Sequence, residues 1–283
     1  VGKSTLMNHL IGEKIAIMSD RPQTTRNKIM CILNTKEAQI IFLDTPGIHK
    51  PHHKLGEFMV RTAESTLKEV DVVLFVVDAT ETKGAGDEFI LQQLEKIHTP
   101  VILVVNKIDK LTDKNKLLTI IHSYTSVYNF KAVVPLSALT GEGCGEVVKE
   151  ITSCLPSGCN LFPEDMITDQ PERDLAGELI REKALRMTHD EVPHAIAVQV
   201  EEFKNRPNGD VFIRATIFVE RDSQKGIIIG AGGKMLKNIG RQAREDIENL
   251  LGSKVYLELW VKVRADWRNK DKSLQDFGYR DAR

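Results

Sequence analysis

A chain of 283 residues is long enough for two domains, each burying a core of its own. Its 39 basic and 40 acidic residues nearly balance, its 41% hydrophobic content is ordinary for a soluble protein, and no apolar run reaches the ~18 residues of a membrane span. The start lacks the charged-then-apolar layout of a signal peptide, and the 4 cysteines form no C-x-x-C pair, which argues for free thiols in a reducing cytoplasm and against zinc.

The chain opens with Val1-Gly2-Lys3-Ser4-Thr5, the tail of the pattern G-x-x-x-x-G-K-[ST]. In that pattern backbone N–H groups cradle phosphates at a helix N-terminus, Lys3 reaches the β- and γ-phosphates, and Ser4 ligates Mg²⁺. A helix is expected through Leu6, Leu10 and Ile11. The pattern's first glycine and the strand feeding it are missing. A parallel sheet without its central strand should fold poorly, so residues are expected to precede Val1. Next, Arg21-Pro22-Gln23-Thr24-Thr25-Arg26 precedes a strand at 28–33. A threonine in such a loop, with Thr25 preferred over Thr24, offers its hydroxyl to Mg²⁺ and its N–H to the γ-phosphate. Ile40-Ile41-Phe42-Leu43 then runs into Asp44-Thr45-Pro46-Gly47. Asp44 would hold a Mg²⁺ water and the Gly47 N–H would sense the γ-phosphate, whose loss releases both loops. Ile48 stands where Ras-like proteins carry the glutamine that orients the attacking water, so slow intrinsic turnover is expected. His49, His52 and His53 sit among Lys50, Pro51 and Lys54 and read as solvated loop, not metal ligands. A helix face follows through Leu55, Phe58, Met59, Thr62, Ala63 and Thr66.

Val72 to Asp78 reads as a buried strand, and Val101 to Val105 as another that delivers Asn106-Lys107-Ile108-Asp109. Such a tetrad at the C-terminal end of a parallel strand lies where open α/β sheets bind ligands. The Asp109 carboxylate can accept from the N1–H and 2-amino group of guanine, and adenine has no donors there. Asn106 would tie neighbouring loops together, and the Lys107 stem would pack on the base. Val133 to Leu136 leads to Ser137-Ala138-Leu139, whose backbone would meet the guanine O6, and a helix closes this half over 146–151.

Pro156, Gly158, Pro163 and Pro171 mark a linker. An amphipathic helix over 174–187 turns Leu175, Leu179, Ile180, Ala184 and Leu185 inward. Two strands over 195–201 and 211–219 flank the Asn208-Gly209 turn. Gly226 to Ile229 leads to Gly230-Ala231-Gly232-Gly233-Lys234 and a helix with Leu236, Ile239, Ala243 and Ile247; a last strand covers 255–263. The order α-β-β-α-α-β around G-x-x-G is that of the prokaryotic KH module. No acidic residue lies between Asp222 and Glu245, where Lys225, Lys234, Lys237, Arg241 and Arg244 offer one sign of charge to a phosphate backbone. In the tail, Trp267, Phe277 and Tyr279 among basic residues could stack on unpaired bases. The expected architecture is α/β: a P-loop GTPase G domain over 1–155, on a doubly wound, mostly parallel sheet whose first strand is missing. A linker over 156–172 leads to an α+β type II KH RNA-binding domain over 173–283 that includes the tail.

This arrangement resembles the Era family of bacterial ribosome-assembly GTPases over essentially the whole chain. The resemblance rests on Pro22 to Arg26, Asp44 to His49, Asn106 to Asp109 and Gly226 to Gly233. It implies GTP/GDP and Mg²⁺ as ligands and binding of the single-stranded 3′ end of 16S rRNA on the 30S subunit. It also implies GTP-dependent exposure of the RNA site, peripheral association with the cytoplasmic membrane, a monomer, and no DNA partner. Ala231 departs from the family's usual lysine after the first glycine. The asparagine that supports potassium in related proteins would precede Val1, leaving K⁺ dependence open. A Der-type assembly GTPase has two G domains, and a tRNA-modification GTPase sets its G domain inside a helical one and usually ends in cysteine; both fit poorly. An RNA-binding protein that senses guanine nucleotide with little or no hydrolysis is the remaining alternative.

Overall fold

The computed structural model describes residues 1–19, 24–48 and 51–280. Arg21, Pro22 and Gln23 of the threonine loop, together with His49 and Lys50, lie outside the described residues. The chain packs as two compact units. The first comprises Val1–Glu13, Asn27–Lys50 and Met59–Asp169; the second comprises Lys14–Arg26, Pro51–Phe58 and Gln170–Arg283. Two stretches from the amino-terminal half therefore fold with the carboxy-terminal one.

In the first unit α1 spans Lys3–Ile11 and ends at Gly12, whose left-handed backbone (φ 81°) returns its N–H to Asn8 O at 2.9 Å. Strands β1 (Ile29–Asn34) and β2 (Gln39–Asp44) form an antiparallel pair. Helix α2 (Lys54–Leu67) carries the expected apolar stripe. Then come β3 (Val73–Asp78), α3 (Ala85–Leu94), β4 (Val101–Asn106), α4 (Lys114–Thr125), β5 (Ala132–Pro135) and α5 (Cys144–Cys154). Strands β3, β4 and β5 form a parallel sheet with β4 central and buried along its whole length.

Alternation along β4 sends side chains into a core on each face. Ile102 and Val104 join Leu6 of α1 and Val147 and Ile151 of α5, whereas Leu103 and Val105 join Leu91 and Leu94 of α3 and Tyr124 of α4. Helices on both faces are what a continuous apolar run in a parallel strand requires, each such side chain contributing roughly 1.5–3 kcal/mol on burial. The proline-rich stretch read as a linker lies along β1: Ile32 N donates to Ile167 O at 2.9 Å and Thr168 Oγ1 to Met30 O at 2.6 Å. Gln39 Oε1 accepts from Leu161 N and Phe162 N, which fixes the start of that stretch.

The second unit follows the expected order with α6 (Glu172–Arg186), β6 (Ala197–Asn205), β7 (Val211–Val219), α7 (Asp222–Ile229), α8 (Lys234–Leu251) and β8 (Val255–Val263). Strand β7 is central, antiparallel to β6 and parallel to β8. The turn between β6 and β7 closes through Arg206 N to Asp210 O at 2.8 Å, with Gly209 at φ 86°. The core joins Ile180, Ile196, Ile213, Ile217, Ile228 and Ile239 between the helices and the sheet.

The tail departs from its sequence reading. Trp267 is wholly buried, donates Nε1–H to Ala195 O at 2.8 Å, and meets Phe277 edge-on and Tyr279 face to face at 5.1 and 6.1 Å. Phe277 also lies 4.9 Å from Phe218 of β7, and a short helix α9 (Asp271–Asp276) sits between the tryptophan and these rings in sequence. These aromatics are core, because the sheet's second face has apolar surface to cover, so Trp267 and Tyr279 have no faces to offer unpaired bases.

Candidate functional site

In the first unit the nucleotide-binding candidates come from the start of α1 and from the loops that follow β2, β4 and β5. Gly2 takes φ 94° ahead of α1, and a Cβ there would lie 2.6 Å from Asn106 Nδ2, so only glycine fits. The Asn106 amide donates to Val1 O at 2.8 Å and accepts from Lys107 N at 2.8 Å and Ala138 N at 2.9 Å. One buried side chain thus ties the segments that begin at Val1, follow β4 and follow β5.

Lys107 turns left-handed at φ 69°, and its ammonium forms an ion pair with Asp78 at the end of β3. Burial alone would raise the Asp78 carboxyl, but hydrogen bonds from Lys107 and Thr80 outweigh it and hold the group below its usual range. The sequence reading missed this partner. Its signal was an acidic residue closing an apolar strand, and the register pairs Asp78 with Asn106. Asp109 is exposed and accepts from Ser137 Oγ at 2.6 Å, while Ser137 itself is buried. The loop beyond turns back through Gly141 N to Ser137 O at 2.8 Å, leaving Ala138 buried and Leu139 exposed.

In the first turn of α1, Ser4 Oγ donates to Asp44 Oδ2 at 2.7 Å. A hydroxyl and a carboxylate at this separation are the hard oxygen donors that Mg²⁺ takes. The position a Cβ would occupy on Gly47 is 3.6 Å from Lys3 Nζ, which brings the lysine beside the Asp44-Thr45-Pro46-Gly47 turn. Thr5 follows in the first turn of α1, and Ile48, half-buried, follows Gly47. Thr25 belongs to the second unit and is 6% exposed. His53 caps α2, its Nδ1 accepting from Gly56 N at 2.8 Å.

In the second unit the glycine turn joins α7 to α8. Gly230 (φ 71°), Gly232 (φ 58°) and Gly233 (φ 77°) all take conformations that L side chains rarely adopt, and Ala231 stands exposed between them. Helix α8 buries Ile239, Ala243 and Ile247 and exposes Lys234, Lys237, Arg241 and Arg244 along one stripe. The helix N-terminus and this stripe offer N–H groups and positive charge to a phosphate backbone.

Residues 1–107 match the family described as 50S ribosome-binding GTPase, and residues 191–268 match the KH domain family. The GTPase Era of Alkaliphilus oremlandii (strain OhILAs) is 58% identical over 280 residues, covering 99% of this chain and 95% of that protein. GTPase Era of Alkaliphilus metalliredigens (strain QYMF) is 56% identical with the same coverage. A crystal structure of Era in complex with MgGDPNP and nucleotides 1506–1542 of 16S ribosomal RNA superposes with a TM-score of 0.95 at 46% identity, covering 99% of this chain and 95% of that one. A substituted Aquifex aeolicus Era bound to GDP and AlF4⁻ does so with a TM-score of 0.95 at 46% identity, covering 98% and 95%. A P-loop GTPase domain followed by a KH domain, at this identity over nearly the full chain, places the protein in the Era family of GTPases.

Proposed function

We propose that this chain is a GTP-hydrolysing switch that binds the single-stranded 3′ end of 16S rRNA during maturation of the small ribosomal subunit. The observation that carries the reading is the Asn106 knot. Asn106 ties the segments that begin at Val1 and carry Ala138, and Ser137 Oγ ties on Asp109, which supports reading them as one guanine nucleotide platform in a chain that also carries the glycine turn and basic stripe of α8.

Asp109 selects guanine by accepting from N1–H and the 2-amino group, the backbone of Ser137-Ala138-Leu139 meets O6, and Lys3 neutralises the β- and γ-phosphates. Ser4 and Asp44, with Thr25, would hold Mg²⁺, which would offset the negative charge that develops during phosphoryl transfer. Gly47 N–H reads the γ-phosphate. The Ile48 side chain has no polar atom with which to orient water, so intrinsic turnover is slow until RNA, a partner or a cation, potassium included, completes the site. Gly230, Ala231, Gly232, Gly233, Lys234, Lys237, Arg241 and Arg244 take the RNA backbone.

Among the described residues no helix is long and apolar enough to cross a membrane. The peripheral membrane association and monomeric state that the family resemblance implies belong to this proposal. The deciding experiment is steady-state GTP hydrolysis with and without a short strand from the 3′ end of 16S rRNA. Stimulation by that strand and not by a scrambled one is expected; turnover indifferent to both would sink the coupling of the two activities.

A further inference from the structure

Residues Lys14–Arg26 stand in sequence between α1 and β1, yet they pack within the second unit. Lys14 Nζ donates to Glu182 Oε1 of α6 at 2.9 Å and to Asp246 Oδ2 of α8 at 2.6 Å. Met18 donates its N–H to Glu182 Oε2 and accepts from Arg186 Nε, both at 3.0 Å. Arg181 Nη2 donates to Thr24 O at 2.6 Å. Arg26 closes the segment, donating to Ile196 O at 2.6 Å and His194 O at 3.2 Å, with its guanidinium 5.6 Å from the centre of Trp267. Tyr279 Oη stands 3.4 Å from Arg26 Nη1 and completes the cage.

Arg26 is 5% exposed, and among the described residues no carboxylate forms an ion pair with it. A guanidinium buried against carbonyls and rings is costly to desolvate, and its bonds to the two carbonyls offset that cost only in one pose. A fold that needed only to cover Trp267 would not require a charge there. The charge fixes direction instead: two carbonyls and one ring face hold the fork in one pose, and the peptide that precedes it is that of Thr25. The other end of the segment is fixed by Lys14 to α8, the helix that opens at the glycine turn.

We propose that Arg26 is a positioning residue for Thr25: its cage of His194, Ile196, Trp267 and Tyr279 makes the placement of the Thr24-Thr25 peptide, and so turnover at the nucleotide site, depend on the RNA-binding unit. The proposal rests on the reading of Thr25 as a magnesium ligand. It specifies which side chain carries the coupling between RNA and hydrolysis.

The test uses the full chain, measuring kcat and KM for GTP with and without the 16S rRNA 3′-end strand, and Kd for that strand. Arg26→Lys keeps the charge but cannot reach both carbonyls while stacking on Trp267. It is expected to lower RNA-stimulated kcat about tenfold toward the basal rate, with KM and RNA Kd held within about threefold. Arg26→Lys that retains full stimulation, while Thr25→Ala loses turnover, overturns the cage and leaves the threonine reading intact. Turnover that survives Thr25→Ala removes the threonine reading and the proposal with it. Should the lysine variant fail to fold, Trp267→Phe keeps Arg26 and an aromatic floor; about threefold lower stimulation is expected, and unchanged stimulation overturns the proposal.

Discussion

Ser137 Oγ donates to Asp109 Oδ1 at 2.6 Å, linking the loop after β5 to the loop after β4. The hydroxyl is buried and the carboxylate exposed, so the serine pins one carboxylate oxygen and aims the group outward. That geometry gives base recognition a testable form. Asp109→Asn replaces an acceptor with a donor and should weaken guanine nucleotide binding by roughly 2–3 kcal/mol, about a hundredfold in Kd. Xanthine carries a C2 oxygen in place of the amino group, so xanthosine diphosphate should bind the variant better than guanosine diphosphate. Unchanged preference for guanine in a fluorescence titration would overturn the role of Asp109. Ser137→Ala should cost less, about 1 kcal/mol, because it frees the carboxylate without removing it.

Two glycines of the same turn should respond differently. A Cβ on Gly230 would lie 2.7 Å from Met235 Cβ and 3.0 Å from Met235 N, in a backbone region (φ 71°, ψ 172°) open essentially to glycine alone. Gly230→Ala should therefore destabilise the second unit by about 1–3 kcal/mol and weaken RNA binding with it. A Cβ on Gly233 meets open space, so the left-handed backbone (φ 77°) is the strain that remains, and aspartate is among the side chains that tolerate that region best. Gly233→Asp should cost about 1 kcal/mol of stability for its left-handed backbone, while its charge repels phosphate and lowers RNA affinity about tenfold or more. Nucleotide Kd should hold in both; matching losses of nucleotide and RNA affinity would count against independent sites.

The ion pairs of Lys14 set a pH dependence in the second unit. Burial alone would raise the Asp246 carboxyl, but hydrogen bonds from Lys14 and Lys183 outweigh it and hold the group below its ordinary range. A carboxyl depressed on folding adds stability above its unfolded pKa, and that increment is lost as pH falls through the folded value, below about pH 4. Lys14 moves upward: burial would lower it, and its bonds to Asp246 and Glu182 raise it further than burial lowers it. Its contribution is complete below its unfolded pKa and is lost as pH rises past about 10. Asp246→Asn should flatten the acid limb of a stability profile relative to the parent and trim the alkaline one. Parallel profiles in urea unfolding across pH 2–5 (about the range in which carboxylates titrate) would exclude this pairing from the folded state.

Several elements were legible because their signals are local. The apolar runs at 211–219 and 255–263 match β7 and β8 at both ends, and the tetrad after β4 falls where the strand stops. The tetrad is itself local, so Asn106 could be expected to tie loops together without coordinates, although its partners Val1 and Ala138 stand 105 and 32 residues away. What covers a face is not local. The helical period of α6 identifies Leu175, Leu179 and Ile180 as inward, but Arg181, Glu182 and Lys183 are buried too, because the segment from Lys14 lies over them and pairs with Glu182. The basic, aromatic tail shares that limit: rings between charges fit a stacking platform or a frayed end, and the burial of Trp267 with its bond to Ala195 O decides against both.

Ile48 carries the last prediction. It follows Gly47, beside which Lys3 Nζ stands, and its side chain can neither donate to nor accept from a water. If water placement limits the basal rate, Ile48→Gln supplies a carboxamide and should raise basal kcat, by about 1–2 kcal/mol of barrier or roughly five- to thirtyfold, with little change in KM. RNA stimulation should shrink by the same factor, since the partner then has less left to supply. Ile48→Ala separates this from packing: it removes volume without adding a polar atom and should leave the basal rate near the parent's. Single-turnover phosphate release distinguishes the cases. An unchanged basal rate in Ile48→Gln with stimulation intact would make the position silent and move water placement to another group.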